Sequence, residues 1–216
     1  VNPTPAATGA ALVTRSLAMG GGFGLAVRGD GTLWAWGDNI YGQLGTGSTA
    51  NTTRAVQVGT ERDWVMVAAG QYHSLGLKAD GTLWAWGLNA AGQLGTATGN
   101  GTLTANSVPT RVSTALYTRV AAGYDHSLGL RADGSLWAWG YNASGQLGNA
   151  TNSGSTAPNP TPAQVGTALY TRVAAGSDHS LALRADGSLY AWGENYDGQL
   201  GGGANSGTFN ANPTPV

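Results

Sequence analysis

Three histidines are the residues best suited to chemistry in this chain, and all stand at one position of a recurring motif: His73, His126 and His179. Imidazole is a common zinc ligand and the side chain whose proton exchanges most readily near neutral pH. A three-histidine metal site and a catalytic acid–base pair are therefore the first functions to weigh. Asp125-His126 and Asp178-His179 supply an aspartate before the ring, and Ser127 and Ser180 follow as would-be nucleophiles. Spacing argues against both ideas. Successive residues of a strand project to opposite faces, so neither pair forms a dyad within its own strand. Equivalent positions on neighbouring repeats lie too far apart to share one ion with ~2 Å bonds, and Phe23 fills the place in the first copy. The expectation is that each histidine fastens its own repeat through local backbone. No catalytic, cofactor or metal residue is assigned, and the chain is read as a non-enzyme.

Other candidates reduce to structure in the same way. Asp30, Asp80, Asp133 and Asp186 each precede a glycine but lack the spaced ligands of a calcium loop. Gly20-Gly21-Gly22-Phe23-Gly24 has no Gly-Lys-[Ser/Thr] after it and is not a phosphate loop. There is no cysteine, which excludes disulfides, thiolate metal sites and a cysteine nucleophile. Only 10% of the 216 residues are charged and the formal net charge is −1. No basic stripe offers itself to nucleic acid or to an anionic membrane. Arg28, Lys78, Arg131 and Arg184 stand within two residues of those aspartates and predict a solvated ring of mixed charge. No apolar run approaches the ~18 residues of a membrane-spanning helix.

The elements that must carry these residues come from internal repetition. Leu33-Trp34-Ala35-Trp36-Gly37 returns at 83–87, 136–140 and, with Tyr190 for the first tryptophan, 189–193. The steps between copies are 50, 53 and 53 residues. Each copy runs on into Asn-x-x-Gly-Gln-Leu-Gly, at 39–45, 89–95, 142–148 and 195–201. The units cover approximately 1–50, 51–103, 104–156 and 157–216.

Large and small residues alternate with period two, as in His126-Ser127-Leu128-Gly129-Leu130, which predicts strands. Asp-Gly between two such runs predicts a two-residue type I′ hairpin with positive φ at both centres. A second turn at the Asn-x-x-Gly and a further short strand make about four antiparallel strands per repeat. That is the content of a β-propeller blade, and the fold class is all-β. The tryptophans at i and i+2 share a face and are expected to pack between blades.

Ala-Ala-Gly-x-x-His-Ser-Leu-x-Leu, then Asp-Gly-[Thr/Ser]-Leu-Trp-Ala-Trp-Gly, then Asn-x-x-Gly-Gln-Leu-Gly, resembles the regulator of chromosome condensation repeat. The resemblance implies a propeller whose typical members have seven blades. It also admits a regulatory role, as an exchange factor for the Ran GTPase or a chromatin-type adaptor. Light-sensing members carry a tryptophan one residue after the inner glycine. Here Gly21, Gln71, Tyr124 and Ser177 hold that place, so photoreception is not expected.

Four repeats do not complete seven blades, and Asn-Pro-Thr-Pro recurs at 2–5, 159–162 and 212–215, at one phase of the repeat. An open array leaves a sheet face bare. A lone four-bladed ring, an eight-bladed pair and a head-to-tail fibre would each cover it, and self-association is favoured over a lone ring. The functional expectation is a scaffold or interaction module that binds a protein partner or itself, with no cofactor, nucleic acid or membrane. Its setting is read as extracellular or cell-surface from the low charge and the Gly/Thr/Asn/Ser enrichment. The variable connections 46–57, 96–111, 149–164 and 202–212 are candidates for contact through hydrogen bonds and backbone, without ionic pairing. Asn51, Asn100, Asn142 and Asn149 stand in glycan-acceptor triplets.

Overall fold

Alternating small and large side chains build fifteen strands among residues 14–202 and 205–216, which the computed structural model describes. Blade one consists of β1 (Thr14–Met19), β2 (Phe23–Arg28), β3 (Leu33–Gly37) and β4 (Thr52–Val58). Blade two consists of β5 (Trp64–Ala69), β6 (His73–Lys78), β7 (Thr82–Gly87) and β8 (Asn106–Leu116). Blade three follows with β9 (Arg119–Ala122), β10 (His126–Leu130), β11 (Ser135–Gly140) and β12 (Asn159–Leu169). Blade four holds β13 (Arg172–Ala175), β14 (His179–Leu183) and β15 (Leu189–Gly193). Within each blade the strands pair antiparallel in chain order, and no helix occurs among the described residues. The chain is an all-β, four-bladed propeller array.

The fourth place in the last blade is taken by residues 212–216. Ala191 N–H donates to the Val216 carbonyl at 2.9 Å and receives the Val216 N–H in return at 3.1 Å. The Asn212 side chain donates to the Gly193 carbonyl at 2.8 Å, as Asn159 does to Gly140 at 2.8 Å and Asn106 to Gly87 at 3.0 Å. The Asn-Pro-Thr-Pro elements at 159 and 212 thus play one structural part. The copy at 2–5 lies outside the described residues.

The hairpins differ from expectation. Only the glycine has positive φ: +80° at Gly31, +82° at Gly81 and Gly134, and +85° at Gly187. Arg28 N–H bonds the Thr32 carbonyl at 3.0 Å and Gly31 N–H bonds the Arg28 carbonyl at 2.9 Å. That is a three-residue loop, a turn closed by a left-handed bulge glycine. The aspartate is selected for its side chain instead. Asp30 Oδ1 accepts from Thr32 N at 3.1 Å and from Thr32 Oγ1 at 2.7 Å, and that hydroxyl accepts the Trp34 indole at 2.9 Å. Blades two and three repeat the chain through Asp80, Thr82 and Trp84, and through Asp133, Ser135 and Trp137.

Three hydrophobic clusters lie between successive blades. Leu25, Val27, Leu33 and Leu44 of blade one meet Trp64, Val67 and Trp86 of blade two. Leu75, Leu77, Leu83 and Leu94 meet Tyr117, Val120 and Trp139. Leu128, Leu130, Leu136 and Leu147 meet Tyr170, Ala182 and Trp192. Each blade therefore has a leucine face and a tryptophan face. Near the axis, Gly21 N–H bonds the Gln71 carbonyl, Gln71 N–H bonds Tyr124 and Tyr124 N–H bonds Ser177, at 3.3, 3.1 and 3.0 Å. Among the described residues no hydrogen bond joins blade four to blade one.

Trp139 is fully buried, whereas Trp36 on the open side of blade one is half-buried. Trp139→Phe removes an indole donor and part of a packed ring, and is expected to lower stability by about 1–3 kcal/mol in urea unfolding. Trp36→Phe in the same assay is expected to cost less than about 1 kcal/mol.

Candidate functional site

The Asn-x-x-Gly-Gln-Leu-Gly turn is where the blades are joined. Its buried asparagine holds the turn from within: Asn89 Oδ1 accepts from Leu94 N at 3.0 Å, while Nδ2 donates to the carbonyls of Thr96 at 2.9 Å and Thr98 at 2.7 Å. Asn142 does the same and is 0% exposed, so it is closed to a glycan. Thus braced, the turn aims the glutamine carbonyl at the next blade. Gln93 O accepts the Ser127 hydroxyl at 2.8 Å and the Trp139 indole at 2.9 Å. Gln43 O takes Ser74 and Trp86 at 2.7 and 2.8 Å, and Gln146 O takes Ser180 and Trp192 at 2.8 and 2.9 Å.

Two of the histidines, His73 and His126, belong to this clamp and correct the expectation that each serves its own blade. His73 Nε2 lies 2.9 Å from Ser127 Oγ, and His126 Nε2 lies 2.9 Å from Ser180 Oγ, in each case one blade further on. Because the serine proton is given to the glutamine carbonyl, the ring donates from Nε2. Burial, with a lesser effect from the next histidine, lowers both rings to about 3, so they are neutral. A serine–histidine pair does form, but across blades, with both groups fully buried and the serine hydroxyl already committed. It is a fastening. A Cβ on Gly70 or Gly123 would strike that ring, which explains the glycine before each histidine.

The variable connections are partly absorbed into the fold, since β4, β8 and β12 arise from them. Asn51 Oδ1 accepts from Asn39 N at 2.8 Å and so helps shape the first of these loops.

Charge is sorted between the two ends of the blades. At the Asp-Gly end, Arg28 stacks 3.7 Å over Trp34, Arg131 3.6 Å over Trp137 and Arg184 4.0 Å over Tyr190, while Lys78 sits about 5 Å from Trp64 and Trp84. Arg15, Arg119 and Arg172 reach the same end through β1, β9 and β13, opposite Leu130 and Leu183 in the last two cases. Arg62 pairs there with Asp30 at 3.3 Å. The aspartates of those turns keep carboxyl values below the ordinary range through bonds from Thr or Ser two residues on. This is the mixed ring that the sequence predicts.

The opposite end, where the glutamine turns lie, carries Asp38, Asp125, Asp178, Glu194 and Asp197, with Arg54 the nearest cation, between the β4 residues that face Ala35 and Gly37. Arg54 and Arg111, the remaining cations, stand on β4 and β8. Glutamine amides steady the carboxylates: Gln93 Nε2 donates to Asp125 at 2.9 Å and Gln146 Nε2 to Asp178 at 2.8 Å. Burial first, then the charge of Asp178, pushes the Asp125 carboxyl up to about 6. Burial and then Glu194 raise Asp178, and burial followed by Asp178 and Asp125 raises the Tyr141 hydroxyl. These groups therefore share one negative field. Tyr124 and Tyr196 are exposed on this side at 43% and 44%. Sequence reasoning missed the face because total charge is blind to position; sorting the carboxylates by place in the repeat would have found it.

A family model of the RCC1-like domain matches residues 2–216. This chain belongs to the RCC1-like family. The ultraviolet-B receptor UVR8 of Arabidopsis thaliana is 32% identical over 196 residues, which is 88% of this chain and 43% of UVR8. The mitochondrial RCC1 domain-containing protein RUG3 of the same plant is 31% identical over 196 residues, 87% of this chain and 43% of RUG3. In structure, this RCC1-like chain superposes on Prp20p from Saccharomyces cerevisiae with a TM-score of 0.84 at 26% identity, covering 97% of this chain and 51% of Prp20p. Human WBSCR16 gives 0.79 at 26% identity, over 94% and 51%. The chain thus spans about half the length of the relatives it matches. Gly21, Gln71, Tyr124 and Ser177, the positions weighed for light sensing, line an axial opening of about 300 Å³, and none is tryptophan.

The histidine clamp has a pH signature. The His73 and His126 imidazoles are depressed in the folded state, so their contribution is present above the ordinary value near 6.5 and is lost as pH falls towards 3. Asp125 acts oppositely: its raised carboxyl adds stability below the ordinary carboxylate range, which fades as pH rises through about 6. His126→Gln is expected to flatten the acid-side loss of stability by up to about 1.4 kcal/mol per pH unit between pH 6 and 4, and Asp125→Asn to steepen it. Urea midpoints measured across that range check both signs.

Proposed function

We propose that this RCC1-like propeller is a non-catalytic interaction module, extracellular or at the cell surface, that binds a protein partner through its anionic turn face and also associates with itself. The observation that carries the partner reading is the sorting of charge. A face with Asp38, Asp125, Asp178, Glu194 and Asp197, where carboxylates outnumber cations, suits a lysine- or arginine-bearing segment. Exposed Tyr124 and Tyr196 add the amphipathic rings that interfaces favour. The comparisons support a protein partner: the Prp20p structure is described with binding to Gsp1p and histones, and yeast RCC1 is described bound to Kap60. The extracellular setting rests on a composition poor in charge and enriched in Gly, Thr, Asn and Ser.

A second reading, a regulator of a small GTPase, draws on the Gsp1p binding described for Prp20p. It would be favoured if the chain speeds release of labelled nucleotide from Gsp1p.

The first reading is tested by fluorescence anisotropy with a lysine/arginine-rich peptide and a glutamate-rich control. Binding is expected for the basic peptide alone, weakening steeply with salt. Reversing Asp38 and Asp197 to lysine is expected to weaken it about tenfold, the equivalent of ~1.4 kcal/mol. Reversing Arg119 and Arg172 to glutamate at the other end should leave it unchanged. Equal binding of the two peptides would remove the proposal.

A further inference from the structure

We propose that the cleft at the outer rim between blades one and two binds a free α-amino acid with an apolar side chain. Its volume is about 230 Å³, below the ~300–1,000 Å³ usual for drug-sized ligands. Val58, Val108, Pro109 and Trp84 give it apolar walls, and Trp64, Lys78 and Glu61 bring the polar groups. Main-chain bonds between the blades fix the frame. Gly47 N–H donates to the Ser107 carbonyl on β8 at 2.8 Å, and Trp64 N–H donates to the Gly31 carbonyl at 3.2 Å.

The chain departs from its own repeat at this place. β4 ends at Val58, whereas β8 and β12 run on to Leu116 and Leu169. The link 58–64 is one residue longer than its equivalents 112–117 and 165–170. Glu61 stands in that link where Ala115 and Ala168 pack into the later junctions. Trp64 replaces Tyr117 and Tyr170, and Lys78, the one lysine of the chain, replaces Arg28, Arg131 and Arg184.

Each of these three substitutes has bonding capacity left over. Trp64 is 2% exposed, yet its indole N–H has no acceptor, a costly state for a buried donor. The Cε3–Cζ3 edge of the ring lies against Gly76, and Nε1 belongs to the opposite edge, turned from its own sheet. Lys78 Nζ lies 3.2 Å from Asp63 and about 5 Å from the centroids of Trp64 and Trp84. An ammonium carries three N–H groups, and the single carboxylate does not exhaust them. Glu61 Oε2 accepts from Thr60 N at 3.0 Å, which leaves Oε1 open. The two donors call for a carboxylate and the free Oε1 calls for an ammonium. An amino acid supplies both, and its side chain has the apolar walls to rest on. Walls of both signs favour a zwitterion over a ligand carrying either charge alone.

The test follows the Trp64 indole signal in nitrogen-edited proton spectra, assigned with Trp64→Phe, during titration with L-phenylalanine. Phenylpropionate lacks the amine and phenethylamine lacks the carboxylate, so these two are the controls. Phenylalanine is expected to move the signal to saturation, and each control to bind about tenfold more weakly. Glu61→Gln should erase the advantage over phenylpropionate, and Lys78→Met the advantage over phenethylamine. Arg119→Gln, outside the cleft, should change neither. Glu61 is exposed, so its variant keeps the test open should Lys78→Met fail to fold. No saturable shift at millimolar phenylalanine, or saturable binding that leaves the Trp64 signal unmoved, would overturn the site. A control that binds as tightly as phenylalanine would overturn its amino-acid class.

Discussion

One backbone carbonyl per repeat sets the geometry of this protein. The glutamine of each of the first three Asn-x-x-Gly-Gln-Leu-Gly turns offers its C=O to the next blade, where a serine hydroxyl and a tryptophan indole share it. Apolar packing supplies most of the driving force between blades, but it is directionless and would tolerate sliding. Two donors meeting on one acceptor in a buried junction do not slide, because a misplaced blade would leave buried polar groups unpaired at about 1–3 kcal/mol each. The histidine adds a third fixed bond to the same junction, since the serine that receives it is the one bound to the carbonyl.

Much of this was legible in the residues. Period-two alternation gave the strands, and the recurrence of Trp-x-Trp gave the blades. The expectations that failed concerned what a side chain meets once the chain has folded. His126 looks local in sequence, yet its partner is Ser180, 54 residues away. The Asp-Gly pair looks like a type I′ turn, yet the aspartate is chosen to accept from Thr32 and its equivalents. The acidic face was hidden in a net charge of −1 because most of the cations that offset it lie in the mixed ring at the Asp-Gly end.

That sorting follows from repetition. A residue type placed once in the repeat is displayed at one height on every blade. The stacked cations at the Asp-Gly end and the carboxylates near the glutamine turns are two such rows. A weak preference in one repeat thus becomes a field over a whole face.

The asparagine inside each turn has a consequence for how such arrays diversify. In blades two and three it grips carbonyls 7 and 9 residues downstream. In blade one it grips Ser48 and Ala50, 9 and 11 residues on, with the turn otherwise unchanged. The grip works as a mooring that accepts rope of different lengths. Residues beyond it can be lengthened, shortened or exchanged without disturbing the strands, so the surface of each blade can change its vocabulary while the grammar of the propeller stays the same.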